Sequence, residues 1–252
     1  MNSATVRNLL VRGMLAGLAA GVLALVVAYL LGEPSVDSAI GFEEAHAHEH
    51  GHEVELVSRS LQSTAGLATG VLIYGVAFGG IAALAYCFAL GRVGRFGARA
   101  TALLLSGTAL LAVYVVPFLK YPANPPSVGD PDTIGKRTTL YFLMMVLSVL
   151  LAVGATLLGK RLAAGLGTWY ATLVAVAAFV AAVGLAYAFL PVVNEVPGDF
   201  PATLLWRFRL SALAIQTVLW GGFGLVFGEL AERMLNPRPA KAPSGRSVPA
   251  AN

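Results

Sequence analysis

Six long apolar runs, at about 9–31, 61–90, 100–118, 140–158, 169–190 and 210–230, alternate with short polar segments along this chain. Each is close to or above the roughly twenty residues a helix needs to cross a hydrocarbon core of about 30 Å. They are built mostly of Leu, Ala, Val and Gly, without the two-residue alternation of a barrel strand, so helices are predicted. The expected fold class is all-α: a polytopic membrane protein with six transmembrane helices arranged as three hairpins over residues 1–235. Residues 236–252, with four prolines and three basic residues, read as a disordered tail. The first run follows Arg7 and Arg12 but is longer than a signal-peptide core of about 7–15 residues, so it is expected to stay as a span.

Composition supports the pattern. Of 252 residues, 57% are hydrophobic and only 12% charged, against about a quarter charged in a soluble domain. The single cysteine, Cys87, lies inside the second run, which excludes an intrachain disulfide and suggests a small packing residue.

Charge then orients the spans. Eleven basic residues (Arg7, Arg12, Arg92, Arg95, Arg99, Lys160, Arg161, Arg233, Arg238, Lys241 and Arg246) fall on the side of the termini. Six (Arg59, Lys120, Lys136, Arg137, Arg207 and Arg209) fall on the other side. The positive-inside rule places both termini in the cytoplasm. Eleven of the thirteen acidic residues lie in the three loops assigned outside, 32–60, 117–138 and 191–208; only Glu229 and Glu232 lie inside. A negative outer face concentrates cations.

The first outer loop holds every histidine of the chain, in EEAHAHEHGHEVE. If extended, His46, His48, His50 and His52 share one side; if helical, His46 pairs with His50 and His48 with His52. Imidazole is the common nitrogen ligand of divalent first-row metals, and Glu43, Glu44, Glu49 and Glu53 add oxygen donors. Binding would weaken below about pH 6.5 as the rings protonate. A metal-gathering loop, a pH-responsive loop and a plain solvated linker all fit the composition.

The other two outer loops, VPFLKYPANPPSVGDPDTIGKRTTLY and LPVVNEVPGDFPATLLWRFRL, follow one plan: proline at the helix exit, then Asn, acid and more proline, then Arg before the next span. Proline makes such loops stiff and non-helical. Asn124, Asp130, Asp132, Asn194, Glu195 and Asp199 are candidate oxygen ligands at an entrance, which Lys120, Arg137, Arg207 and Arg209 could instead neutralise in a salt-bridged lid. Glu229, near the inner end of the last span, is a candidate exit ligand. No charged residue or histidine lies mid-span, which argues against a conventional proton-driven antiporter. Gly13, Gly17 and Gly21 in the first span, Gly66 with Gly70 and Gly75 with Gly79 in the second, and Gly224 with Gly228 in the sixth repeat every four residues. Such faces suit close association of the first two spans, or of a helix from a partner or a second copy. No Walker motif, nucleotide fingerprint, zincin helix or nucleophile elbow is present, so neither an enzyme nor a nucleic-acid partner is expected.

Taken with GEPSVDSAIGFEEAH and SRSLQSTAGLATGVLIYGVAFGG, the strings PFLKYPANPP and VNEVPGDFPA make the chain, from Arg7 to Arg233, resemble the bacterial CbtA family of predicted cobalt transporter subunits. That resemblance implies an inner-membrane protein tied to cobalamin-related cobalt supply, and a small single-span companion of the CbtB type. The expected function is a permease or facilitator subunit for uptake of a divalent transition metal, Co²⁺ first and Ni²⁺ or Zn²⁺ next. The alternative is a membrane scaffold or metal-sensing subunit that transports nothing.

Overall fold

The computed structural model describes residues 2–46, 58–126 and 128–237, with no side-chain description for His46. Helix α1 (Ser3–Val27) starts at Asn2, whose side chain accepts the Thr5 amide at 2.8 Å. A π-helical turn, Ala28–Gly32, carries it without a break into α2 (Glu33–His46). The short α3 (Arg59–Leu61) passes through a second π turn, Gln62–Gly66, into α4 (Leu67–Ala89). Helix α5 (Ala98–Ala109) continues through a third, Leu110–Val115, into α6 (Val116–Lys120). A 3₁₀ turn, Pro131–Thr133, precedes α7 (Ile134–Phe189), and α8 (Ala202–Leu235) closes the described chain.

Of the three π turns among the described residues, two end two residues before a proline, Pro34 and Pro117. A proline inside a helix lacks a donor and its ring strikes the carbonyl four residues back; widening the preceding turn relieves the clash and lets the helix go on. Hydroxyls of neighbouring helices then take carbonyls at these turns. Ser211 donates to Leu31 O at 2.8 Å, Ser148 donates to Ala112 O, and Tyr187 donates to Val116 O. Away from water such carbonyls need these partners. The proline at position 34 therefore does not start a loop. The first outer segment, expected as a loop over 32–60, is helical as far as His46.

Among the described residues, five helices are long and apolar enough to cross a membrane. One of them runs over 59 residues, Pro131–Phe189, about 90 Å if straight at 1.5 Å per residue. It is not straight. Gly167 has φ 74° and ψ 161°, and a methyl built on Gly159 would lie 3.2 Å from Ala175 Cβ, where a straight helix would hold them about 24 Å apart. Helix α7 doubles back on itself at Gly167.

Helix α1 lies between α4 and α8, and α8 in turn lies against α5. The α1–α4 seam is made of glycine: a Cβ on Gly17 would sit 2.1 Å from Gly75 O, and one on Gly79 2.2 Å from Gly13 O. The four-residue glycine spacing in these two spans thus serves contact within the chain. Gly224 and Gly228 do the same for α8, against Ser106 and Ala102 of α5, whereas Gly70 faces no neighbour within 4 Å among the described residues. Aromatic rings fill the centre, with Phe78 edge-on to Trp220 at 4.5 Å and Tyr86 edge-on to Phe227 at 4.9 Å. Helix α7 joins this bundle through α6 and the third π turn, and it buries only Met144, Ser148, Ala171 and Ala175. Of the three expected hairpins, α1 with α4 is closely packed, while α8 pairs with α1 and α5 rather than with its sequence neighbour.

Candidate functional site

The segments that the charge pattern assigns to the outer side meet in one cap. Ala39 of α2, Val128 and Phe200 form a small apolar core there, and Phe42 packs edge-on against Phe200 at 5.1 Å. Tyr121 donates to Pro191 O at 2.9 Å, and Lys120 donates to Tyr187 O at 2.8 Å, tying the second outer loop to the end of α7. Arg59 clasps Glu33 and, at 2.8 Å, Asp37, so the start of α3 is held against α2.

Beneath this cap lies a cavity of about 540 Å³. Tyr114, Phe118, Tyr121, Tyr141 and Phe142 supply aromatic wall, and Asn124, Asn194, Glu195, Arg137 and Arg209 supply the polar groups. Glu195 is held on every side. Thr133 Oγ1 donates to its Oε1 at 2.6 Å, the Asp130 amide donates to its Oε2 at 3.0 Å, and Arg137 Nε lies 3.3 Å away. The Thr133 hydrogen bond, followed by the Asp130 amide and the nearby Arg137 and Lys136 charges, holds its carboxyl below the usual carboxylate range. Arg209 donates from Nη2 to Asn124 Oδ1 at 3.0 Å and from Nε to Ala123 O at 3.3 Å. Gly129, at φ 125°, lets the Arg137 guanidinium come close: a Cβ there would lie 2.2 Å from its Nη1.

Of the residues singled out in the sequence, Asn124, Asn194 and Glu195 come together in this cavity. Asp130 stands next to it, its side chain accepting the Asp132 amide at 2.9 Å. Asp132 and Asp199 are exposed and outside the lining. Glu229 is at the opposite end, bridged at 2.7 Å by both Arg99 and Arg233. Glu43 and Glu44 are exposed on the last turn of α2. His48, His50, His52, Glu49 and Glu53 lie outside the described residues, as does the His46 side chain. Among the described residues no group of three or more His, Cys, Asp or Glu is placed to hold a metal ion. The aromatic wall escaped the sequence reading because Tyr121, Tyr141 and Phe142 look like ordinary interfacial residues until two loops fold over them.

Long apolar helices joined by short polar segments, with charged side chains gathered near the helix ends, define a helical membrane protein. The chain belongs to the CbtA family: residues 6–232 match the family model described as "Probable cobalt transporter subunit (CbtA)". No curated protein and no solved structure matches the chain.

Proposed function

We propose that this protein is the membrane-embedded permease subunit through which a divalent transition metal, Co²⁺ foremost, enters the cell. In this reading α7 crosses the bilayer twice, which makes six crossings and leaves both termini in the cytoplasm of a bacterial inner membrane. The observation that carries it is the cavity under the outer cap, in a chain whose family is that of a cobalt transporter subunit. The His46–His52 tract with Glu43, Glu44, Glu49 and Glu53 gathers the ion, and in the sequence it follows directly on α2, whose Ala39 packs in the cap. Asn124, Asn194 and Glu195 stand at the entrance, and the Glu229 cluster stands where the ion would leave. No engine within the chain is required, because a divalent ion gains roughly 4.6 kcal/mol per 100 mV of membrane potential. The apolar side of α7 that bears Val146, Leu150, Val153 and Leu157 is exposed, and it would meet lipid or a single-span companion of the CbtB type.

Cobalt accumulation tests this in a deletion strain complemented with the wild type or with a variant in which His46, His48, His50 and His52 are all Ala. Accumulation restored by wild type and reduced in the variant is expected. Equal accumulation with and without the gene would reject transport and favour a scaffold or sensor role.

A further inference from the structure

The outer face of this protein is acid-rich, yet its cavity is not. Two guanidinium groups, Arg137 and Arg209, line it against one carboxylate, Glu195. That carboxylate is already engaged by a hydroxyl, an amide and Arg137. Arg209 is half-buried and makes no ion pair with any described residue; both of its hydrogen bonds go to neutral oxygens. Arg137 is also under-used. Its Nε is buried and does not point its proton at Glu195 despite the 3.3 Å separation, and its one hydrogen bond among the described residues, to Asp130 O, is 3.5 Å long. A guanidinium has five donors in a planar fork suited to carboxylates, and a partly buried one without a counter-ion is costly. A bare dication would add repulsion to that cost. Size points the same way. Six waters around an ion occupy about 180 Å³ at roughly 30 Å³ each, a third of the 540 Å³ present. The aromatic wall suits carbon-bearing ligands better than a hydration shell.

Resting on the transport reading above, we propose that this cavity receives its metal as a small anionic chelate, the ion wrapped by a carboxylate-bearing ligand, and not as the hydrated cation; the membrane potential then draws inward only the dication released from the chelate, since the anion itself gains nothing on entry. Arg209 takes an outward carboxylate of the chelate, Arg137 offers a second contact, and the aromatic side chains cover the ligand's carbon skeleton.

Equilibrium binding to the full chain in lipid nanodiscs tests this. The four histidines are changed to Ala first, so that the tract does not bind cobalt on its own account. The probes are Co²⁺ alone, citrate alone and equimolar Co²⁺–citrate. The chelate is expected to bind at least tenfold more tightly than either component, and Arg209→Gln to weaken it at least tenfold. Arg209→Lys, which keeps the charge but not the fork, is expected to weaken it as well and stands in if the Gln variant does not fold. Binding of Co²⁺ alone as tight as the chelate, binding of citrate as tight as the chelate, or indifference of the chelate to both Arg209 variants would each overturn the proposal. Vesicle uptake separates this from the broader reading: uptake of neither form sinks transport and leaves the binding result to decide the cavity's ligand.

Discussion

Thr133 and Glu195, 62 positions apart, are joined by a 2.6 Å hydrogen bond that links the second outer loop to the third. Glu195 is the acceptor, and its ionised form is the one that the hydroxyl, the Asp130 amide and Arg137 all favour. A carboxyl with a depressed folded value adds stability that is fully present above its unfolded value, about 4.3 for Glu, and is lost as pH falls through the lower folded value. Thermal unfolding of wild type against Glu195→Gln is therefore expected to differ at pH 7 and to converge as pH drops below about 4. A constant gap across that range would show that Glu195 does not hold the loops together by its charge.

The α1–α4 seam leaves no room for side chains. With Gly75 O only 2.1 Å from the place a Gly17 Cβ would take, Gly17→Val forces the two backbones apart. Overpacking typically costs about 1–3 kcal/mol, and here the obstacle is backbone, so the upper end is expected. Gly70→Val meets open space and is expected to change stability by less than about 0.5 kcal/mol. Unfolding of both variants in mixed micelles checks the contrast.

Ser148 is fully buried and its hydroxyl donates to the Ala112 carbonyl within the third π turn. Ser148→Ala removes that donor where no water replaces it. Hydrogen bonds between membrane helices are worth about 0.6 kcal/mol on average and up to about 1.7. A loss of about 1 kcal/mol is expected by the same unfolding measurement, together with weaker attachment of α7 read as faster proteolysis at the Gly167 turn. Unchanged stability and cleavage would remove Ser148 from that role.

Arg59 and Glu33 hold α3 to α2, with Glu33 only 14% exposed. Arg59→Ala leaves a largely covered carboxylate unpaired. Because Asp37 and Arg59 itself are more open to water, a penalty of about 1–2 kcal/mol is expected, below that for a fully buried pair. Adding Glu33→Gln is expected to recover part of it. Additive losses in the double variant would mean that the two side chains are not coupled.

Gly167 adopts φ 74° and ψ 161°, a combination open to glycine and strained for other residues. Gly167→Ala is expected to cost about 1–3 kcal/mol and to lower expression, as measured by the yield of monodisperse protein. The same change at Gly154, a helical position of α7 with no neighbour within 4 Å, is expected to be neutral or slightly stabilising.

Some features were legible in the chain because they are local. A helix needs only its own apolar run, and a glycine repeat shows itself over eight residues, so the long helices and the Gly13–Gly17 face could be read directly. The first outer segment was misjudged: proline at position 34 ordinarily marks an exit, but a π turn absorbed it and Ser211, 180 positions away, satisfied the Leu31 carbonyl. Sequence spacing also proposed oxygen ligands without showing which would converge, and Asn124, Asn194 and Glu195 met while Asp132 and Asp199 did not.

The order of residues by itself determined a helical membrane protein, the close fit of its first two spans and the crowding of acids on one face, since hydrophobicity and side-chain size act within a turn or two of helix. Only tertiary structure decided that α8 would lodge between α1 and α5 and that the cavity would be positively charged. Arg137, Glu195 and Arg209 come from three separate segments, α7, the segment after it and α8, and their balance of charge exists only where the fold brings all three to one cavity.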